Sequence, residues 1–292
     1  MSTAGKTARD TDGGEWLEKQ PRGCIMKTDT AGRTGRLAGW IEGKGRRAAA
    51  DRCVMFGFLK KKEKPVFVTA VIAAGGASTR MGGENKLLAE IDGLPVLAHT
   101  LRAFQQNPRI SEIVISAKAD LLVTYAELAR DFGITKVSHV VAGGVSRTES
   151  VYRGVCAADP QATLVLVHDG ARPMVPQAVI DRVIDGLQAN NCAAAAVPVK
   201  DTIRQVDPET GACVLLDREK IRAMQTPQGA DRQLLAAALK NCLDNGIAVT
   251  DELAALETLG VKPVLVEGAY ENLKITTQED LVLAEAFLTE GE

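Results

Sequence analysis

Val66-Phe67-Val68-Thr69-Ala70-Val71-Ile72-Ala73-Ala74-Gly75-Gly76 is the stretch that decides how the chain folds. Residues 66–74 are an almost unbroken apolar run, and two glycines close it. A strand with one wet face alternates apolar and polar residues. A run without alternation is what a strand covered on both faces requires. Helices are therefore expected on either side of the sheet to which it belongs.

Working outward, the chain keeps alternating in that way. Residues 95–106 read as a helix opened by proline. A strand follows at 112–117, a helix at 119–132 closed by Gly133, a strand at 136–142 and a helix at 147–158. Residues 163–167 form another buried run, which delivers His168-Asp169-Gly170. Then come a helix at 176–189, a strand at 192–198, helices at 231–243 and 251–259, and a strand at 263–267. A helix at 278–288 closes the order, with Thr276 and Glu279 at capping-box spacing before it. The order predicts an α/β fold, a mostly parallel sheet with helices on both faces, without internal repeats. Residues 200–222 break the rhythm. They carry Asp207-Pro208-Glu209-Thr210-Gly211, a turn between extended stretches, and read as a hairpin standing off the sheet. Spacing alone fits a plain surface hairpin equally well.

Upstream of the first strand the composition changes. Residues 1–54 are rich in Gly, Arg, Lys, Thr and Asp, with apolar residues too sparse for either period, and are expected to be a disordered extension. They contain no apolar core of a secretory signal, and Asp10, Asp12, Glu15 and Glu18 argue against a transit peptide. Met55 stands directly before the first strand and is read as the natural start, leaving 55–292 as a single domain.

Apolar residues make up 46% of the chain and charged residues 25%, as in a soluble globular enzyme. A net charge of −2 creates no field to hold nucleic acid or an anionic membrane. No stretch approaches the roughly 18 apolar residues of a membrane span, and a cytoplasmic location is expected. Cys24, Cys53, Cys156, Cys192, Cys213 and Cys242 contain no Cys-x-x-Cys pair and read as small buried apolar residues of a reducing compartment. With only His99, His139 and His168, a histidine-rich metal site is excluded.

Phosphate binding must then come from local clusters. The turn after the first strand runs Gly75-Gly76-Ala77-Ser78-Thr79-Arg80-Met81-Gly82-Gly83-Glu84-Asn85-Lys86. Ligands of open α/β sheets bind at the carboxyl ends of strands. Glycines there let backbone N–H groups approach phosphate oxygens, and Arg80 and Lys86 add two cations. Together they suit a nucleoside triphosphate attacked at its α-phosphorus. The spacing is neither the dinucleotide fingerprint nor the P-loop. Two glycines alone are commonplace in such turns, so the cations carry this reading. Asp169, at the end of another buried strand, can hold Mg²⁺ against a triphosphate, and Arg172 can grip a second phosphate. A lone Asp at that place is otherwise a helix cap.

The loop resembles the Ala-Ala-Gly-x-x-x-Arg-Met signature of the 2-C-methyl-D-erythritol 4-phosphate cytidylyltransferases, with Ala74-Gly75-Gly76 on the Ala-Ala-Gly and Gly75 replacing an alanine. Four further segments are similar in order, and together they span residues 66–288. Gly143-Gly144-Val145-Ser146-Arg147-Thr148-Glu149-Ser150-Val151 resembles Gly-Gly-x-x-Arg-x-x-Ser-Val. That similarity implies that Gly144, Val145 and Ser150 read the cytosine ring, with Val145 where many relatives carry Asp. By itself, residues 146–149 are simply a good helix start. His168-Asp169-Gly170-Ala171-Arg172-Pro173 resembles His-Asp-x-Ala-Arg-Pro, which implies nucleotide contacts from Asp169 and Gly170 and acceptor contacts from Arg172.

Residues 197–202, Asp217-Arg218 and Gln225-Thr226-Pro227-Gln228 resemble the family's dimerisation arm and the turn after it. The resemblance implies an obligate homodimer through an arm at about 199–222. Thr202 and Arg218 would reach the partner's site to hold the acceptor phosphate, and Thr226 would also serve the acceptor. Arg218 alone would be a solvated charge. Thr250-Asp251-Glu252 and Asn272-Leu273-Lys274-Ile275-Thr276 complete the similarity, with Lys274 as a third cation beside the reacting phosphates.

The resemblance implies a Rossmann-like fold of the nucleotide-diphospho-sugar transferase type with a projecting hairpin. It also implies transfer of CMP from CTP to 2-C-methyl-D-erythritol 4-phosphate, releasing pyrophosphate, in isoprenoid precursor biosynthesis. Ala74, Gly75 and Gly76 would bind CTP. Arg80, Lys86 and Lys274 would be catalytic, and Asp169 would hold Mg²⁺ or another divalent cation. The attacking phosphate oxygen is already deprotonated at neutral pH, so no general base is required. Two alternatives stand beside this: a ribitol 5-phosphate cytidylyltransferase, which differs only in its acceptor pocket, and a non-catalytic CTP-binding module. No cyclase domain is expected after the closing helix.

Overall fold

The computed structural model describes residues 66–76 and 85–289. The expectations for residues 1–54 and for Arg80 lie outside the described residues. β1 (Val68–Ala74) is followed by a small ribbon of β2 (Glu90–Ile91) and β3 (Leu94–Pro95). Next come α1 (Val96–Gln106), β4 (Glu112–Ala117), α2 (Leu122–Asp131), β5 (Val137–Ala142), α3 (Arg147–Ala157), β6 (Leu164–Asp169), α4 (Gln177–Ala189) and β7 (Cys192–Pro198). β8 (Arg204–Val206) and β9 (Cys213–Leu215) form the expected hairpin. β10 (Arg222–Asp231) then returns to the sheet, before α5 (Arg232–Asp244), α6 (Glu252–Glu257), β11 (Val264–Glu267) and α7 (Gln278–Thr289).

The main sheet has seven strands in the order β11-β7-β10-β6-β1-β4-β5. Every neighbouring pair is parallel except the two made by β10. The continuous apolar run of β1 is explained by its central place, because alternate side chains enter different cores. Val68, Ala70, Ile72 and Ala74 pack with residues of α1, α2, α4 and α7. Val71 packs on the opposite face with residues of α3, α5 and α6. Full burial of Val68, Val71 or Ile72 stabilises the fold by about 1.5–3 kcal/mol each.

The sequence reading missed β10, taking residues 225–228 for a turn. Gln225, Thr226 and Gln228 are polar yet buried, because each finds hydrogen-bond partners inside the protein. Pro227 sits where the ladder shifts register between Met224 and Gln228, a place that lacks a ladder donor without penalty. A little further on, a Cβ on Gly229 would lie 2.4 Å from the carbonyl oxygen of Val165. That neighbour is backbone and cannot swing away. Gly229→Ala is expected to lower stability by about 1–3 kcal/mol in urea unfolding.

Two smaller expectations change. At the start of α7 the carboxylate that accepts from the amides of Thr276 and Thr277 and from the Thr276 hydroxyl is Asp280, whereas Glu279 reaches back only to the Thr277 side chain. Of the described cysteines, Cys192 and Cys242 are buried as expected, whereas Cys156 and Cys213 are exposed thiols.

Candidate active site

β1, β4 and β6 run in the same direction, so their carboxyl ends and the loops after them gather along one edge of the sheet. A cavity of about 350 Å³ opens there. Gly75, Gly76 and Lys86 bound one side, the 144–147 turn and Ser150 another, and Asp169, Ala171 and Lys274 the third. A roomier hollow of about 590 Å³ lies between α2 and the edge strand β5. It is lined mainly by apolar groups, and its one guanidinium, Arg130, pairs with Asp131. The convergence of charge is confined to the smaller cavity.

Asp169 is its centre. The carboxylate stands at the end of β6 and is nearly buried, with Lys274 Nζ 2.8 Å and Arg172 Nε 3.7 Å from Oδ2. Arg147 Nη2 lies 3.4 Å from Oδ1. Burial alone would push this carboxyl up, but the charges of Lys274, Arg147 and Arg172 outweigh it and hold it well below the usual carboxylate range. Asp169 caps no helix here. Its amide donates instead to the Thr226 hydroxyl at 3.0 Å.

The cations are held by a short segment before α7. Lys86 Nζ donates to the Ile275 carbonyl at 2.8 Å, and the Ile275 amide donates to the Ala171 carbonyl at 2.8 Å. Arg172 Nη1 donates to the Asn272 carbonyl at 2.6 Å, and Asn272 Nδ2 donates to the Thr226 carbonyl at 2.8 Å. Residues 272–275 thus stitch the glycine turn, the end of β6 and β10 together, with Lys274 between two anchored neighbours.

On the opposite wall Ser146 caps α3, accepting from the Glu149 amide at 3.1 Å, while Glu149 Oε2 accepts from the Val145 amide at 2.9 Å. The helix start and the cavity wall are the same residues. Ser150 Oγ accepts from the Gly144 amide at 3.0 Å and donates to the Ser146 carbonyl at 2.8 Å. A Cβ on Gly143 would meet that hydroxyl at 2.6 Å, so this turn needs glycine for its closeness.

Several residues singled out from the sequence stand elsewhere. Ala74, assigned to CTP by the motif register, points into the core, and Ala73 lines the cavity instead, because successive side chains of β1 face opposite sides. Gly170 turns away: its amide donates to the Ala73 carbonyl at 3.0 Å and its carbonyl accepts from the Thr100 hydroxyl at 2.9 Å. Thr226 lies beneath Asp169 with its hydroxyl engaged, not on the wall. Thr202 and Arg218 are exposed at the hairpin, and Arg218 Nη1 donates to the Lys200 carbonyl at 2.9 Å; neither lines the cavity of its own chain. Reading the sequence missed the partner of Arg147, Glu252, which takes its guanidinium in a fork at 2.6 and 3.2 Å. The Arg in the Gly-Gly-x-x-Arg segment was the available signal, but its partner lies 105 residues away.

The sequence model of the 2-C-methyl-D-erythritol 4-phosphate cytidylyltransferases matches residues 68–290.

The chain belongs to this family.

A 2-C-methyl-D-erythritol 4-phosphate cytidylyltransferase of Syntrophus aciditrophicus is 38% identical over 227 residues, covering 77% of this chain and 97% of its own. One from Halalkalibacterium halodurans is 40% identical over 225 residues, covering 77% and 98%. Among solved structures, the 4-diphosphocytidyl-2C-methyl-D-erythritol synthase of Anaerococcus prevotii superposes with a TM-score of 0.70 at 30% identity, covering 77% of this chain and 97% of its own. The 2-C-methyl-D-erythritol 4-phosphate cytidylyltransferase of Thermus thermophilus gives 0.63 at 30%, covering 77% and 100%. Cytidylyltransferases are nucleotidyltransferases, and this member of the family is an enzyme of that kind.

His168 is the family motif's histidine, and it serves no proton transfer at the cavity. It is fully buried, with its ring 4.9 Å from that of Phe104. Nε2 donates to the Arg172 carbonyl at 3.1 Å, so Nδ1 accepts from the Thr226 hydroxyl at 3.0 Å. Burial pushes the imidazole down to about 4, from 6.5. Between those values the unfolded chain binds a proton that the folded chain refuses, so stability falls as pH drops through this window, by about 3 kcal/mol at its lower end. Urea unfolding of the parent and of His168→Gln at pH 7 and 4.5 should show a smaller acid loss in the variant. Equal losses would rule out His168 as the source.

Proposed function

We propose that the protein transfers CMP from CTP to 2-C-methyl-D-erythritol 4-phosphate, giving 4-diphosphocytidyl-2-C-methyl-D-erythritol and pyrophosphate, in isoprenoid precursor biosynthesis. The observation that carries this reading is the gathering of Arg147, Arg172 and Lys274 around one carboxylate, with Lys86 lining the same cavity beside a glycine turn, in a member of this family. Two polyanions must meet at such a site, and cations fixed before either arrives lower the barrier by alignment and charge stabilisation.

In this reading Gly75 and Gly76 present backbone to the triphosphate, and Lys86 and Arg80 hold its phosphates. The 144–146 turn and Ser150 take the cytosine. Lys274 leaves Asp169 for the α-phosphate as a triphosphate enters, exchanging one anionic partner for another. Arg172 faces the acceptor side. Thr226 acts from below, orienting Asp169 through its amide. No side chain accepts a proton, because the nucleophile is already an anion.

Asp169 suits Mg²⁺: it is ionised, it lines the cavity, and that ion is commonly held by one or two carboxylates with phosphate oxygens and water completing its shell. Among the described residues no group of three or more His, Cys, Asp or Glu competes as a protein-only metal site. The bound ion supplies neutralisation of phosphate charge.

The β8–β9 hairpin is proposed as a dimerisation arm that brings Thr202 and Arg218 to the partner's acceptor. Its Val206, Val214 and Leu215 side chains are 59%, 63% and 59% exposed, and a two-stranded ribbon with bare apolar groups has no core of its own. A cytoplasmic location is part of the proposal; separately, no helix among the described residues is long and apolar enough to cross a membrane.

The deciding experiment is pyrophosphate release with Mg²⁺, comparing CTP, ATP, GTP and UTP, each alone, with methylerythritol phosphate and with ribitol 5-phosphate. Release is expected only with CTP and methylerythritol phosphate together. Release with CTP and only ribitol 5-phosphate would transfer the enzyme to that reaction, and no release with any pair would support a binding module.

A further inference from the structure

Around Asp169 the two oxygens are treated differently. Oδ2 meets Lys274 and Arg172, whereas Oδ1 meets Arg147. Arg147 is the first residue of α3, directly after the capping Ser146, so its backbone belongs to the turn at the base-side wall. Its side chain is 34% exposed to the cavity. A guanidinium that exposed would ordinarily sample many rotamers.

Glu252 prevents this. It is the first residue of α6, fully buried, and grips Arg147 through both oxygens. Its own placement is rigid: Asp251 caps α6 through the Ala254 amide at 2.9 Å, and Gln228 of β10 bonds both Asp251 and the Leu253 amide. A buried ion pair is a poor device for stability, since a well-packed apolar pair of the same volume is often as good or better. Its value must be sought in what it aims.

We propose that Glu252 and Arg147 are a positioning pair: Glu252 fixes the guanidinium fork so that its outer edge sets the orientation of Asp169 through Oδ1 and ties the 143–146 turn to it. The inference rests on the CTP-dependent function above. Glu252 has no exposed surface at the cavity, so any effect of changing it on substrate must pass through Arg147. Lysine at 147 keeps the charge but cannot span both carboxylates as a fork does.

The test uses the full chain with Glu252→Gln and Arg147→Lys, measuring CTP affinity calorimetrically without acceptor over a Mg²⁺ series, then kcat and both KM values, with unfolding midpoints alongside. In both variants CTP binding at limiting Mg²⁺ is expected to weaken, and kcat to fall, by about 10–100-fold, with the acceptor KM unchanged. Values within about twofold of the parent in both, whatever the midpoints do, would overturn the proposal, since losses of 10–100-fold are what such supporting contacts carry. A loss in Glu252→Gln alone would also overturn it, because the effect would then bypass Arg147. Should Glu252→Gln not fold, Arg147→Lys decides the matter, being at the cavity wall. Failure of the parent itself to bind CTP would remove the functional reading, and this inference with it.

Discussion

Lys274→Met is expected to lower kcat by about 10²–10³ while leaving the unfolding midpoint near that of the parent. The side chain is 40% exposed, so its ion pair with Asp169 contributes little to stability, of the order of 0–1 kcal/mol for such pairs. In the proposed reaction its contribution to rate is different in kind, because it would stabilise the additional charge that builds as pyrophosphate departs. Losing one fixed donor at such a point typically costs about 2.7–4 kcal/mol of transition-state stabilisation. Single-turnover rates with saturating CTP and acceptor measure it. A rate within about tenfold of the parent would exclude Lys274 from the reacting phosphates, since a fixed donor there accounts for at least 10².

Asp169→Asn is expected to impair both rate and stability. The amide keeps the shape but removes the negative charge faced by Lys274, Arg147 and Arg172. Arg172 suffers most: its side chain is only 11% exposed, and burial already pulls its guanidinium down from the usual arginine value. Stranding a charge in that position typically costs about 3–5 kcal/mol. Urea unfolding of Asp169→Asn should show that loss, and adding Arg172→Met should recover much of it without restoring turnover. The pH profile offers a second check. A carboxyl held below its unfolded value stabilises the fold above the ordinary carboxylate range, and that stabilisation disappears as pH falls through the folded value. The asparagine variant lacks this acid-sensitive component. A variant as stable as the parent would show that the three cations do not depend on Asp169.

The legible part of this architecture is whatever one strand or one helix declares by itself. Residues 112–117 and 192–198 are strands with the bounds read from their sequence, and the cap at Ser146 and the left-handed Gly133 after α2 were visible as local chemistry. β10 was not, because its polar residues are buried by partners far along the chain: Gln225 on Ala269, Thr226 on His168, Gln228 on Asp251. Motif resemblance singled out many of the residues that line one cavity. It could not separate residues that face the cavity, such as Ala73 and Lys274, from those that hold the scaffold, such as Gly170 and Thr226. That distinction depends on side-chain direction and on which backbone groups are already paired. The Arg147–Glu252 fork is the extreme case, an interaction between two helix starts that no periodicity announces.

β7 enters the hairpin and β10 leaves it, so these two adjacent antiparallel strands are the shaft that carries the β8–β9 ribbon. Partway along the shaft, and away from the edges of the sheet, the ladder changes register beside Thr226. Continuous backbone therefore joins the ribbon to Thr226, the bed on which the Asp169 amide rests. Lengthening or recolouring the ribbon leaves that bed untouched, whereas a slip of one residue along the shaft would replace the hydroxyl under Asp169 with the side chain of Gln225 or Pro227.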